Sequence, residues 1–533
     1  MPISGSFSTE RVRPRRRAAL VLSALALAAY AALVLSRPQG SVLALLSDDA
    51  FYYLEIARNV LAGQGCTFDG IAPTNGFHPL WMLVVIAVTA LTGGGELVTA
   101  VAVLLLAGVM ATATLLLIYR TVERHIAPGY GVVAAAAALL PNVLVAMLNG
   151  LETGLQLLLA TALIGACYRH RLLAADASAP RLAALGLLIG LVTLARLDSV
   201  FLVAAAGLMV AAGSRRLPLS RLLVRLVYLG VGFALVVMPY LVWNRVAFGH
   251  FTPSSGVAKS SFPALAARIS LAGDQLWGAL MLLALWAAIG VAHLRRWWPR
   301  ATSGPPAAAE APFWASPLSL LAIACAFHFL HALLFLAWGV YWWHFTLYGL
   351  GLALAASAAL AALVGARVWL RRLAVGVVSA LLIAFSAWTE WRGLRVKEAQ
   401  HAGWLAAAQW ARDHTREEDV FALVDAGLFG YFSGRHVVNL DGKANSYGYL
   451  ESVERGTVEA YLASVGVRYV ANIRYQYRSG KSRIFIPRVN QPSLPLVMDE
   501  TWEVYRGAPI PSDLPRFGQA PTTSFVIWEL PRD

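Results

Sequence analysis

Long runs of apolar residues follow one another through the first three quarters of the chain. They lie at 18–37, 97–118, 131–148, 152–168, 181–195, 198–213, 222–243, 271–293, 314–337, 342–364 and 370–390. A membrane-spanning helix needs about 20 predominantly apolar residues, so the pattern predicts about eleven transmembrane helices. A further run at 79–92 is too short to span by itself.

Arginine clusters at the ends of these runs predict their orientation. Cytoplasmic loops carry an excess of Lys and Arg, and Arg11, Arg13 and the three arginines at 15–17 precede the first run. Later clusters follow every second run only if 79–92 does not cross the membrane. We therefore predict a cytoplasmic N-terminus, an interfacial or re-entrant helix at 79–92, and a last span that ends on the outer face.

The remainder of the chain has a different pattern, in which short apolar runs alternate with helical stretches. The apolar runs lie at 420–424, 436–440 and 467–473, and the helical stretches at 398–412 and 453–464. Such alternation indicates a compact α/β domain. The predicted organisation is a transmembrane domain at 1–390, with interfacial helices in a first outer loop at 38–96, and an extracytoplasmic α/β domain at 391–533.

Composition agrees with this division. The 533 residues are 58% hydrophobic and 14% charged, and the mean hydropathy is +0.62, which is too apolar for a soluble globule of this size. The net charge of +14 comes largely from arginines beside apolar runs, and topology explains these better than nucleic-acid binding does. Cys66, Cys167 and Cys325 are too far apart to suggest a disulfide framework or a zinc ribbon. We expect a multi-pass protein of the cytoplasmic membrane that contacts lipid and no nucleic acid.

The first outer loop has the densest group of polar residues. Asp48 and Asp49 open a stretch in which Tyr52 and Glu55 recur at helical spacing on the face of Asp48. This pattern predicts an amphipathic helix along the membrane surface. One acid at a helix start is often a cap, but two exceed that need. Either one of the pair is a general base toward a bound hydroxyl, or both hold a divalent cation.

Cations at the outer ends of the spans are the second feature. Positive charge is disfavoured on that side of a bacterial membrane, so Arg245 and Lys259 call for an anionic partner, for which a lipid phosphate is the natural choice. Arg196 either pairs with Asp198 within a tight turn or faces the same aqueous cavity. We predict that Lys259, Arg245 and Arg196 bind a phosphate.

Other polar residues complete the predicted cavity. The expected substrate-cavity residues are Glu55, Arg58, Asn75, His78, Glu152 and Asp198. Residues on loops after the apparent strands of the tail either hold an acceptor above the cavity or belong to a purely structural lid. These are Asp425, Asp441, Lys443 and Asn445.

Together these motifs resemble the GT-C glycosyltransferases. The resemblance rests on the Asp-Asp pair, the Glu55-Ile-Ala-Arg-Asn helix end, the His78-Pro-Leu-Trp segment and the outer C-terminal domain. Within that superfamily the sequence is similar to the lipid A aminoarabinose transferases, the protein O-mannosyltransferases and the mycobacterial-type arabinofuranosyltransferases. The family's catalytic Asp falls on the pair, and its distance to Glu55 favours Asp49 over Asp48. The mannosyltransferases pair their first Asp with a Glu, so the second Asp here leaves metal use open, with Asp48 and Asp49 as the ligands of any divalent cation.

The resemblance implies an inverting glycosyltransferase. Its donor would be a polyprenyl-phosphate sugar, its acceptor a glycan, lipid or protein of the envelope, and its place the outer face of the membrane. A transporter or flippase of lipid-linked sugars is the alternative, since it would share the bundle and the anion-binding loop. Transporters, however, tend to carry charges at mid-membrane depth and paired interrupted spans, which this sequence does not show. A non-catalytic scaffold would need the acids only as caps.

Overall fold

The computed structural model describes residues 12–266, 273–297, 316–337, 341–364, 368–473, 483–485, 492–495, 500–506 and 524–530. Helices form the first part, and a mixed sheet with flanking helices forms the second. The chain is an integral membrane protein, because seven helices in the described ranges are long and apolar enough to cross a membrane. The remaining apolar helices include three of 10–17 residues.

The helices of the first part follow the apolar runs. They are α1 (Val12–Ser36), α2 (Gln39–Leu43), α3 (Asp48–Leu61), α4 (Pro79–Leu91), α5 (Glu96–Thr121), α6 (Gly131–Ala137), α7 (Pro141–Leu148), α8 (Thr153–His170), α9 (Ala179–Ala195), α10 (Phe201–Gly213), α11 (Leu219–Phe248), α12 (Ser254–Lys259), α13 (Asp274–Trp297), α14 (Pro317–Phe335), α15 (Thr346–Val364) and α16 (Val368–His414). A π turn lies at Val122–Ile126, and 3₁₀ turns lie at Leu197–Val200 and Trp342–Phe345.

Two expectations about these helices need correction. The run at 131–148 is not one helix, because it breaks between α6 and α7, where Pro141 begins a new helix and has no N–H to continue the old one. The helix expected at 398–412 is the end of α16, a single helix of 47 residues. The boundary placed at 390 therefore lies within a continuous helix.

The second part is built on a five-stranded sheet. Its elements are β1 (Val420–Leu423), α17 (Gly427–Ser433), β2 (His436–Asn439), α18 (Tyr447–Arg455), α19 (Val458–Ser464), β3 (Val467–Ile473), β4 (Arg483–Phe485), β5 (Pro492–Pro495), β6 (Glu500–Arg506) and β7 (Ser524–Glu529). The strand order is β2-β1-β3-β7-β6, and β4 pairs with β5 separately. The pairs β1–β2 and β1–β3 are parallel, whereas β7 runs antiparallel to β3 and β6. The expected strands are present, while the helix expected at 453–464 is two helices separated at Gly456 in the left-handed region.

Helix α3 joins the membrane part to the C-terminal part. One Asp48 carboxylate oxygen accepts the N–H of Gly427 at 3.0 Å and the other accepts that of Leu428 at 2.8 Å. Gly427 has no side chain, and an added Cβ there would collide with the backbone carbonyl of Asp48. The start of α17 therefore fits directly against the start of α3.

Tyr52 makes a second polar link one helical turn later. Its hydroxyl oxygen accepts the N–H of Ala426 at 2.9 Å and the amide N–H of Asn439 at 2.8 Å. Around these bonds, buried apolar side chains of α3, α4, α5, α16 and the sheet form one core that crosses the domain boundary. Phe51 contributes through ring contacts with Tyr431 and Phe432.

We predict that Tyr52→Phe loosens the C-terminal domain. The substitution leaves two buried donors without their acceptor, which costs about 1–3 kcal/mol each. We expect a lower thermal midpoint in detergent and faster protease cleavage after residue 391. Tyr228→Phe, at a side chain that is 43% exposed on α11, is the control. Equal midpoints for the two variants would contradict the linking role of Tyr52.

Candidate functional site

Asp48 and Asp49 serve different parts of the structure. Asp48 is occupied by the N–H groups that begin α17. Burial raises the pKa of Asp48 well above its usual range, the Asp425 carboxylate adds to that shift, and the two N–H bonds oppose it. The Asp49 side chain is 32% exposed. The structure therefore separates an acid engaged in domain contact from one that is accessible.

Asp49 belongs to a group that we name the carboxylate–lysine cluster, which consists of Asp49, Asp425, Asp441 and Lys443. The ammonium of Lys443 lies 3.2 Å from Asp49 Oδ1, 3.5 Å from Asp425 Oδ1 and 3.2 Å from Asp441 Oδ2. Burial lowers the pKa of Lys443, but the three carboxylates more than offset this and hold it well above its usual range. The cluster thus combines acids from both parts of the chain around one cation.

The sheet explains why the C-terminal members meet. Asp425 follows β1 and Asp441 follows β2, and these strands are parallel neighbours. Side chains after the carboxyl ends of parallel strands gather at one edge of a sheet. Asp425 has a φ of 49°, a left-handed conformation that Asp tolerates better than most residues and that is often held in place at functional sites. Asp441 Oδ1 accepts the backbone N–H of Lys443 at 2.9 Å and so shapes the turn.

Lys259 ends α12 as a half-buried cation. In the described ranges no carboxylate lies within ion-pair distance of it. Burial lowers the pKa of Lys259, the Asp49 carboxylate opposes that shift, and the positive charges of Lys443 and Arg196 reinforce it. The pKa of Lys259 is therefore affected by charges of the carboxylate–lysine cluster and by the charge of Arg196.

The second group, which we name the arginine cluster, consists of His78, Glu152, Arg196 and Asp198. Arg196 Nε lies 3.0 Å from Asp198 Oδ2 and 3.9 Å from Glu152 Oε1, and His78 Nε2 lies 3.5 Å from the same Glu152 oxygen. The pair expected within the Leu-Ala-Arg-Leu-Asp turn is thus formed. His78 Nδ1 accepts the N–H of Leu197 at 3.1 Å, which assigns the ring proton to the nitrogen that faces Glu152.

Two residues absent from the sequence prediction help to build these groups. The Tyr53 hydroxyl donates to Glu152 Oε2 at 3.1 Å and accepts the backbone N–H of His78 at 3.1 Å. Gln156 reaches Ser199 Oγ at 2.8 Å beside Asp198. The signal for Tyr53 was available, because it follows Asp49 by four residues, as Tyr52 follows Asp48. Residues four apart share a helix face, so each of the two acids has a tyrosine on its own face of α3.

A small cavity opens beside the arginine cluster. It is lined by Gln156, Asp198, His328, His344 and Tyr348 among others. His328 Nε2 is 3.9 Å from Asp198 Oδ2, and His328 Nδ1 is 3.0 Å from the Tyr348 hydroxyl. Within the part of the chain that the structure describes, no group of three or more His, Cys, Asp or Glu residues is arranged to hold a metal ion.

Asn75 lies at a junction of three chain segments and is completely buried. Its amide nitrogen donates to Asn244 Oδ1 at 3.1 Å, and its oxygen accepts the N–H of Ser254 at 2.8 Å. The neighbouring Thr74 hydroxyl donates to the carbonyl of Asn445 at 2.9 Å. Asn75 thus ties the first loop to the end of α11 and the start of α12, and so fixes the short helix that carries Lys259. Asn445 enters the same junction through its backbone.

The other predicted residues lie apart from these clusters. Arg58 pairs with Glu55 at 2.6 Å and with Glu96 at 3.2 Å, and Arg412 adds a contact to Glu96 at 2.9 Å. This network connects α3, α5 and α16. Arg245 donates to the carbonyl of Gly249 at 2.8 Å in an exposed position at the end of its own helix.

Comparisons with known proteins address the sequence and the fold separately. A family model described as Domain of unknown function (DUF8728) matches residues 389–513. No curated protein matches the sequence significantly. The matched segment begins close to the boundary chosen from composition and covers most of the C-terminal part.

Solved structures resemble the chain over most of its length. ArnT from Cupriavidus metallidurans bound to undecaprenyl phosphate superposes with a TM-score of 0.54 at 13% identity, covering 88% of this chain and 96% of that one. Its apo state gives a TM-score of 0.52 at 14% identity, covering 86% and 93%. The chain has the GT-C fold. The resemblance inferred from the motifs is therefore confirmed at the level of the fold.

A larger GT-C protein also aligns with nearly the whole chain. Arabinofuranosyltransferase AftD from Mycobacteria gives a TM-score of 0.48 at 15% identity and covers 97% of this chain and 40% of that one. In the chain described here, residues 425–443 supply three of the four charged side chains of the carboxylate–lysine cluster.

We predict that Asn75→Ala and Asn244→Ala each destabilise the protein and that their effects do not add. Each removes one end of the same buried hydrogen bond, at a cost of about 1–3 kcal/mol, and residues that share a bond show coupling in a double-mutant cycle. Thermal midpoints of both single variants and the double variant in one detergent provide the measurement. Fully additive shifts would mean that the two amides act independently.

Proposed function

We propose that the chain is an inverting glycosyltransferase that moves a sugar from a polyprenyl-phosphate donor to an envelope acceptor at the outer face of the cytoplasmic membrane. One observation carries the proposal. Lys259 is a half-buried cation without an ion-pair partner in the described ranges, and it is coupled electrostatically to the accessible carboxylate of Asp49. A half-buried cation within electrostatic range of an accessible carboxylate suits a reaction that produces an anion and needs a proton acceptor.

Of the three cations predicted to bind a phosphate, Lys259 is the best candidate. Arg196 is engaged by Asp198 and Glu152, and Arg245 is bonded to its own chain. Burying a cation without a counter-ion is costly. Binding of an anion beside Lys259 would reduce that cost and is therefore favourable. The similarity to ArnT, whose structure holds undecaprenyl phosphate, supports a lipid phosphate as that anion.

Asp49 is proposed as the general base. Its carboxylate takes the proton of an acceptor hydroxyl while the hydroxyl oxygen forms a bond to the anomeric carbon of the donor. The bond from that carbon to the phosphate oxygen breaks on the opposite face, so the configuration inverts and polyprenyl phosphate leaves. Lys259 stabilises the negative charge that the phosphate gains. No external oxidant, reductant or acid is needed.

The membrane explains the placement of the site. A sugar on a lipid phosphate stays in the membrane plane, so the acceptor must be brought to it. In the proposed orientation the N-terminus is cytoplasmic and the C-terminal domain lies outside, where Asp425 and Lys443 border the space in front of Asp49. These residues are proposed to contact the acceptor as well as to hold the base.

We predict that Asp49→Asn abolishes sugar transfer and leaves the fold intact. Loss of a general base lowers rates by about 10²–10⁴-fold. The measurement is release of polyprenyl phosphate from a panel of lipid-phosphate sugars by purified, reconstituted protein at matched thermal stability.

Asp176→Asn is the control for that comparison. Its side chain is 72% exposed and pairs only loosely with Arg171 at 3.8 Å, so transfer is expected to be unchanged. A wild-type protein that binds lipid-linked sugar and releases no polyprenyl phosphate would refute the transferase and support a transporter or flippase. Full activity of Asp49→Asn would remove Asp49 from the mechanism.

Lys259 is expected to make donor binding depend on pH. Burial lowers its pKa, so the ammonium is lost as pH rises through that lowered value, and the affinity for lipid phosphate falls with it. Above about pH 8 the phosphate is already fully ionised, so the loss there reports the lysine. Lys259→Met removes the ammonium and should weaken binding of the lipid phosphate roughly ten- to a hundred-fold at neutral pH.

Lys259→Arg and Arg245→Met are the matched comparisons for a titration of polyprenyl phosphate binding. The arginine variant should keep its affinity at alkaline pH because a guanidinium does not deprotonate there. Arg245→Met should behave as wild type. If the arginine variant and the wild type lose affinity in parallel, another group controls the pH dependence.

A further inference from the structure

The ammonium of Lys443 lies at the meeting point of three carboxylates that come from three separate segments. Its distances to oxygens of Asp49, Asp425 and Asp441 are all between 3.2 and 3.5 Å. The contacts to Asp49 and Asp425 are hydrogen bonds, and the contact to Asp441 Oδ2 is an ion pair. Carboxylate oxygens are the ligands that a hard divalent cation prefers in proteins, but with the ammonium among them these three acids are not arranged to hold a metal ion.

The chain holds Lys443 in this place by its backbone. Asp441 Oδ1 accepts the N–H of Lys443 at 2.9 Å, and Asn439 Oδ1 accepts the next N–H, that of Ala444, at 3.4 Å. On the other side, Gly76 of the first loop lies against the carbonyl of Lys443 so closely that a Cβ there would collide with it. The side chain is only 17% exposed. The backbone contacts and the burial therefore restrict Lys443 to this position, unlike a lysine on the surface.

We infer that Lys443 takes the place of a divalent cation between Asp49, Asp425 and Asp441, so that this site works with an internal ammonium as its cation. The inference rests on the proposed function for what the site does, but its structural content is separate from it. A divalent ion within contact distance of the acids would lie beside the ammonium and be repelled by it. The raised pKa of Lys443 agrees with an ammonium that stays charged.

This arrangement gives Lys443 a positioning role toward the proposed base. Its ammonium donates to Asp49 Oδ1 at 3.2 Å. This contact orients Asp49, the proposed base, from one side.

The test is binding of Mn²⁺, followed by electron paramagnetic resonance, to purified protein stripped with a chelator. Wild type should bind no Mn²⁺ that depends on Asp49. Lys443→Ala should expose the three carboxylates and bind at least ten-fold more Mn²⁺ than wild type, and adding Asp425→Asn to Lys443→Ala should remove that gain. Lys443→Arg is the matched control, because it keeps a cation in place and should bind as little Mn²⁺ as wild type.

Two results would overturn the inference. One is stoichiometric Mn²⁺ binding to wild type that Asp49→Asn abolishes. The other is a folded Lys443→Ala variant that gains no Mn²⁺ binding, since a divalent ion would then not fit between the acids. If Lys443→Ala does not fold, the wild-type and Lys443→Arg measurements still decide, because the inference requires that neither binds Mn²⁺ through Asp49.

The Mn²⁺ experiment can fail or succeed independently of the proposed glycosyltransferase activity. Mn²⁺ binding needs no donor and no turnover, so it decides the role of Lys443 even if no sugar is ever transferred. If wild type does release polyprenyl phosphate, its rate should be the same before and after treatment with the chelator. A rate that falls on chelation and returns with Mn²⁺ would refute the inference and leave the transferase standing.

Discussion

The bonds from the Asp48 carboxylate to the first N–H groups of α17 determine where the other charged residues of the site can lie. They bring the start of α3 against the loop that follows β1, and the glycine at 427 permits a contact that a side chain would block. Because Asp49 is the next residue, its direction is fixed once Asp48 is bound. Asp425 and Lys443 then reach it without any further adjustment of the sheet.

Charge is distributed unevenly over the site, and this unevenness is informative. The arginine cluster contains its own acids, with Arg196 close to Glu152 and Asp198. The carboxylate–lysine cluster has more acids than cations. Lys259 has no acid at ion-pair distance among the described residues, and charges from both clusters act on its pKa. A protein interior normally pairs its charges, and this departure at Lys259 is the reason for proposing it as the phosphate-binding cation.

The sequence predicted the membrane character, the alternating tail and the pair of acids, because each depends on local composition. Periodicity located nearly all the helices and three strands of the main sheet. It did not show that α16 continues through the domain boundary, since a change from apolar to polar residues does not end a helix. The break before Pro141 was readable in principle but was masked by uninterrupted hydrophobicity.

The site itself was only partly predictable for a physical reason. Asp48 and Asp49 are equivalent in sequence, and their separation depends on residues more than 370 positions away. Likewise, Lys443 was expected on a loop near an acceptor, but its contact with Asp49 requires the register of β1 against β2 and the close approach of Gly76. Glu55 and Arg58 had the right residue types, yet their partners Glu96 and Tyr431 direct them into a network between helices.

Helix α16 has a consequence for how far the C-terminal part can move. At 47 residues it is about 70 Å long, more than twice the thickness of the apolar layer of a bilayer, and it enters the C-terminal part without a break. The C-terminal domain is therefore continuous with a long helix and is also bonded to α3. A domain attached at two places does not open by rotation about a single hinge. If the proposed function holds, an acceptor has to reach Asp49 past a domain that stays in place, and its access then depends on the width of the opening between the two attachments and not on a hinge.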